Sequence, residues 1–175
     1  MACVSPKLPR GEAAGLHKRD GPLLVVSTRS ESGFGLAAFD DRSPDVMMRA
    51  GRDFWRNLYS HAGAGRQHGL RATALAVRGS KVALMTEGGS LIAGDLQKGC
   101  GSMPCEGLDP AVLEFVDDAG FVVFAPGESA LRIYDAQPRS PALRREIKLR
   151  AQPSAVRCAN GRVRVNFVGS ETLCF

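Results

Sequence analysis

One strand ending is written repeatedly along this chain. Leucine, three residues, then aspartate recurs as Leu36 to Asp40, Leu91 to Asp95 and Leu131 to Asp135, within GLAAFD, SLIAGD and ALRIYD. A fourth leucine, Leu173 in TLCF, starts the pattern again beside Phe175. Leu91 and Leu131 are 40 residues apart, Leu131 and Leu173 are 42 apart, and Leu36 and Leu91 are 55 apart. A unit of about 40 to 45 residues cannot bury both its faces alone, so such repeats must stack on one another.

The content of each unit narrows the fold. From Leu70 onward, ATALAVR, KVALMTE and SLIAGDL form one group of β-branched and apolar runs, followed by the Gly-rich loop KGCGSMPCEG. AVLEFVDD, FVVFAP, ALRIYD and REIKLRA form the next, and SAVRCA, RVRVNFV and TLCF the last. The connections RGS, EGG, DDAG, PGES, ANG and VGSE are rich in turn formers. About four strands per unit is the mark of a β-propeller blade. The repeated ending is then the third strand of each blade, and its aspartate enters a turn. The spacing predicts an all-β chain, an incomplete propeller of about three to four blades, with a helix inserted near 44–60. Residues 1–20 read as a flexible tail and 21–175 as the partial propeller. Within it, 21–40 is a partial blade, 43–69 a helical insertion and loop, 70–100 and 110–150 blades, and 153–175 a truncated blade. Closed propellers need about 4 to 8 blades, so the expectation is a piece of a larger ring, completed by further sequence or by another chain.

The interruption at 43–60 has its own signature. SPDVMMRAGRDFWRNLYS opens with Ser43 as a helix cap, Pro44 in the first turn and Asp45 behind it. Met47, Ala50, Phe54 and Leu58 recur at helical spacing, Arg49, Arg52 and Arg56 fall on the opposite face, and Trp55 sits at the edge. Such a helix can lie in a membrane interface or fill a partner's groove. Its more ordinary role is to dock on its own domain.

Composition sets outer bounds. Apolar residues make 44% of the 175 and charged residues 23%, as in soluble globular proteins. The net charge of +5 favours anionic partners without naming one. The five cysteines, Cys3, Cys100, Cys105, Cys158 and Cys174, match no zinc spacing and read as free thiols of a reducing, cytoplasmic setting. A Cys100–Cys105 disulfide is the alternative. No stretch reaches about 18 apolar residues, so any membrane contact is expected to be peripheral.

Bond chemistry finds little support. Asp117-Asp118 lies in a DDAG turn, where aspartate favours the turn itself. Gly63, Gly65 and Gly69 have the wrong spacing and context for a nucleotide loop. His17, His61 and His68 lack partners at ligand spacing, and no serine stands in a nucleophile elbow. The chain is therefore expected to be no enzyme and to use no cofactor or metal. Arg139, Arg144, Arg145, Lys148 and Arg150 cluster near the outer strand of the second full blade, where charge guards an exposed edge.

LRIYD resembles the third strand of a WD40 repeat, with Tyr134-Asp135 where Trp-Asp usually stands, although the Gly-His dipeptide of those repeats is missing. FVVFAPGESALRIYDAQ and AVRCANGRVRVNFV resemble blade patterns of the PROPPIN family, the phosphoinositide-binding β-propellers of autophagy. The likeness covers roughly 70–175. It implies a cytoplasmic interaction scaffold that meets protein partners, peripheral on membranes. Arg162, with Arg164 beside it, is the partner contact it implies, suited to an acidic peptide. The family's lipid motif ends in Arg-Arg-Gly. Here Leu143-Arg144-Arg145 is followed by Glu146 and comes too early, so a phosphoinositide site is expected beyond Phe175. The alternatives are a generic WD40-like subunit of a protein complex and a basic nucleic-acid binder. The second lacks a recognisable module and interleaved aromatics.

Overall fold

A computed structural model describes residues 8, 10, 13–30, 33–40, 46–49, 71–105, 112–137, 140–159, 161–168 and 170–174. Among the described residues there are fifteen strands and no helix. Strands β1 (Ala13–Asp20), β2 (Leu23–Ser30), β3 (Gly33–Asp40) and β4 (Val46–Arg49) form the first sheet. The second holds β5 (Ala72–Arg78), β6 (Lys81–Thr86), β7 (Ser90–Asp95) and β8 (Gly99–Pro104). The third holds β9 (Val112–Phe115), β10 (Gly120–Phe124), β11 (Ala130–Asp135) and β12 (Ala142–Lys148). In the fourth, β13 (Ala155–Ala159), β14 (Arg162–Phe167) and β15 (Ser170–Cys174) lie side by side. Each sheet is an antiparallel meander whose strands lie in chain order. The repeated leucines Leu36, Leu91, Leu131 and Leu173 fall on β3, β7, β11 and β15, the third strand every time.

The strands of the second and third sheets bury both faces, because each of these sheets lies between two others. Val82, Leu84 and Ile92 of the second sheet pack with Val25, Leu36 and Ala38 of the first. Ala83, Met85, Leu91 and Ala93, displaced by one residue, pack instead with Leu113, Phe115, Phe121, Val123 and Tyr134 of the third. Val122, Phe124 and Leu131 then turn to Val163 and Val165 of the fourth. Side chains alternate between faces along a strand, so near-continuous apolar runs such as VALM and FVVF feed two interfaces at once. Phe121 sets the middle one: its ring meets Phe115 edge-on at 5.8 Å and stacks on Tyr134 at 5.9 Å.

The first strands lie innermost. β1 packs beside β5, β5 beside β9 and β9 beside β13. Their finishing ends meet, with the Gly79 N–H donating to Asp20 Oδ2 at 2.6 Å and Arg78 Nε donating to Asp118 Oδ1 at 2.9 Å. Small sheets stacked face-on, with their first strands side by side, make this chain a partial β-propeller.

Two expectations are corrected. Residues 13–20, read as part of a flexible tail, form β1 and pair with β2 from Ala13↔Arg29 to Asp20↔Leu23. The mixed run AAGLHKRD has little strand character of its own, and the tertiary pairing supplies it. The helix expected over 44–60 gives way over Val46–Arg49 to β4, paired to β3 through Ala37↔Arg49, Ala38↔Met48 and Phe39↔Val46. Val46, Met47 and Met48 suit a strand as well as a helix, and the open hydrogen bonds of β3 decide between them. Arg49 therefore stands on an edge strand, while Arg52, Phe54, Trp55 and Arg56 lie outside the described residues.

Candidate interaction surfaces

The finishing ends of the inner strands enclose a polar cleft of about 430 Å³, lined by Asp20, Arg78, Glu114, Phe115, Cys158 and Gly161. Four sheets contribute to it, which no local motif could announce. Lys18 Nζ donates to Glu114 Oε2 at 2.5 Å, joining the first sheet to the third. Lys81 donates to the Asp118 carbonyl, and the Cys158 thiol to that of Phe115 at 3.7 Å. Burial pushes the Cys158 thiol above its ordinary pKa; Glu114 adds to this, while Lys18 and Arg78 oppose it. The thiol is thus protonated near neutral pH. Charges of both signs meet here and largely neutralise one another, so the cleft ties blades together rather than waiting for an ion. Gly161 is required at its rim: φ is +73° and a Cβ would meet the Val116 carbonyl at 2.5 Å.

Basic side chains on the third sheet are also engaged. Arg144 Nε donates to Asp135 Oδ1 at 2.6 Å and Nη1 to Asp117 Oδ2 at 2.5 Å. Asp117 Oδ1 accepts from the Ala119 and Gly120 N–H groups at 2.8 and 2.6 Å, so this carboxylate shapes a turn. The Arg144 guanidinium, with those N–H groups, holds the Asp117 carboxyl down to about 2 against the opposing effect of burial. Arg132 reaches Glu128 at 3.0 Å and Glu146 at 3.1 Å. In the second sheet, Asp95 accepts from Ser80 Oγ at 2.8 Å and from the Gln97 N–H at 2.9 Å. The recurrent aspartates at 95 and 135 do enter turns and their braces.

The fourth sheet differs. Arg162 and Arg164 alternate along β14 with buried Val163 and Val165, which face the third sheet, so the arginines are exposed on the opposite face. Arg157 of β13 stands opposite Arg164 in register and is exposed too. Among the described residues none of the three has an ion-pair partner. Sequence reading found Arg162 and Arg164 but gave Arg157 no site role; its strand register supplies that signal.

The remaining candidates separate. Cys100 and Cys105 are buried free thiols rather than a disulfide, Cys158 is half-buried and Cys174 exposed. Burial raises Cys100 to about 12. His17 is exposed on β1, and His61, His68 and the 63–69 glycines lie outside the described residues. Among the described residues no three His, Cys, Asp or Glu side chains gather as a metal site.

No protein-family profile and no curated protein matches the sequence. Solved structures do match. BBS1N, in its complex with ARL6DN, aligns with a TM-score of 0.62 at 14% identity, over 96% of this chain and 53% of that one. Hsv2 of Kluyveromyces lactis, a PROPPIN, aligns with a TM-score of 0.54 at 10% identity, over 78% of this chain and 48% of that one. The computationally designed Ika4 protein aligns with a TM-score of 0.55 at 14% identity, over 100% of this chain and 97% of that one. The chain thus spans about half the length of BBS1N and of Hsv2 and nearly all of Ika4. At these identities the likeness fixes the fold alone, a β-propeller-like stack of blades.

Proposed function

We propose that this chain is a non-enzymatic propeller scaffold that receives protein partners on the exposed face of its fourth sheet. One observation carries the reading. Lys18, Arg78, Arg132 and Arg144 are matched by carboxylates of the chain itself, whereas Arg157, Arg162 and Arg164 share one exposed face without such partners among the described residues. Guanidinium groups left open on a rigid sheet suit bidentate recognition of carboxylates. BBS1N, a structure similar in fold, was solved with a bound protein, which supports a platform role by analogy.

The finer reading is a PROPPIN-like adaptor, cytoplasmic and peripheral on membranes, that links phosphoinositides to autophagy partners. The blade-level resemblance and the fold shared with Hsv2 support it.

Affinity capture with the wild-type chain and the charge-reversed R162E/R164E variant tests the partner face. Partners retained by the first and lost by the second are expected; identical sets would remove the proposal. Recovery of autophagy factors supports the adaptor reading, and an unrelated assembly or bound RNA replaces it. Vesicles with and without phosphatidylinositol phosphates, offered to the longest natural form of the protein, test the lipid arm.

A further inference from the structure

At the other end of the inner strands from the polar cleft, the starts of β1 and β5 and the end of β2 enclose a second cavity of about 610 Å³. Gly15, Ser27, Arg29, Arg71 and Ala72 line it, and none of its described lining residues is a carboxylate. Three features set it apart from a packing gap. First, Ser27 is only 2% exposed, yet its hydroxyl has no hydrogen-bond partner among the described residues. Thr86, equally buried, accepts from the Ser90 N–H at 3.1 Å. A buried hydroxyl left without a partner costs free energy, so its retention calls for a reason. Second, Arg29 and Arg71 are exposed at the cavity rim and have no ion-pair partner among the described residues. Third, the serine hydroxyl packs directly over Gly15, where a Cβ would stand 2.6 Å from Ser27 Oγ, so no side chain at 15 fits beside it.

We propose that this cavity binds a phosphate group, free or carried by a small molecule. Ser27 and Arg29 stand two residues apart on one face of β2, and Arg71 comes just before β5, so two guanidinium groups and a hydroxyl able to donate reach the cavity from two strands. That arrangement suits the several oxygens of a tetrahedral dianion better than the two of a carboxylate. The apolar stretch Ala13, Ala14, Leu16 and Ala72 gives the body of a phosphorylated molecule a surface to lie on. The site shares no residue with the arginine face of the fourth sheet, so either reading can fail alone.

The test is calorimetric titration of the full chain with inorganic phosphate, glycerol phosphate and acetate. The expected result is saturable binding of both phosphates and weaker binding of acetate. Ser27→Ala should weaken phosphate binding about tenfold, the size of one charge-assisted hydrogen bond. Arg29→Gln with Arg71→Gln should abolish it. Ser27→Ala removes an unpartnered hydroxyl, so its melting temperature should hold or rise, which separates lost binding from lost fold. Vesicles carrying phosphatidylinositol phosphates identify the source: binding that these same variants abolish assigns a lipid headgroup, and indifference assigns a small phosphate. Absence of saturable binding to either phosphate, equal affinity for acetate, or phosphate binding untouched by Ser27→Ala would each overturn the proposal.

Discussion

Arg157 and Arg164 stand directly opposite one another on β13 and β14, both exposed. Like charges facing across a strand pair repel, and the repulsion is weakened by salt. Replacing Arg164 with glutamate turns the pair into an attraction. Arg164→Glu should stabilise the isolated chain by about 0.2–1 kcal/mol in urea unfolding at low ionic strength, an effect that shrinks with added salt. The same variant should lose partners in affinity capture. Loss of stability instead would mean that the wild-type arginine is engaged within the fold.

Asp117 gives the third sheet a defined acid response. Its carboxyl is held at about 2, below the ordinary 3.8, chiefly by the Arg144 guanidinium. Between those values the folded chain binds fewer protons at this site than the unfolded chain does. Its contribution to stability is therefore full above about pH 4 and is lost as pH falls through about 2. The groups are well exposed, so the contribution should stay below about 1 kcal/mol. Arg144→Ala should move the Asp117 carboxyl resonance, followed by NMR titration, back up toward the ordinary value. An unchanged midpoint would show that the turn N–H groups alone hold it.

Phe121 is the keystone of the second interface, fully buried between Phe115 and Tyr134. Phe121→Ala should cost about 3–5 kcal/mol in chemical unfolding, in the range for truncating a buried aromatic. Leu143→Ala, on the exposed side of β12 at 54% exposure, should cost little by comparison. Similar losses for the two would deny that the second and third sheets share a packed interface.

How much of this could be read in advance depended on whether the signal was local. Leu36, Leu91 and Leu131 are buried on third strands among apolar neighbours, and Leu173 takes the matching, half-buried place on β15. The alternation of RVRVNF placed Arg162 and Arg164 outside. Val46 to Arg49 misled because a short apolar run satisfies both periods, and only its pairing with β3 settles the matter. Ala13 to Asp20 carries no pattern at all. The polar cleft was illegible because Lys18, Arg78 and Glu114 come from three sheets and meet only when the inner strands converge. The second cavity was hidden by the plainness of Ser27, a serine in an apolar strand whose lack of a partner appears only in three dimensions.

The face-on stacking of blades underlies every conclusion above, and neighbouring residues on β6 report it directly. Leu84 packs toward the first sheet and Met85 toward the third. In a methyl-labelled sample, nuclear Overhauser contacts should connect Leu84 with the Val25 and Leu36 side, and Met85 with Phe121 and Tyr134. Contacts from both residues to one sheet, or from neither to its assigned neighbour, would contradict the propeller arrangement.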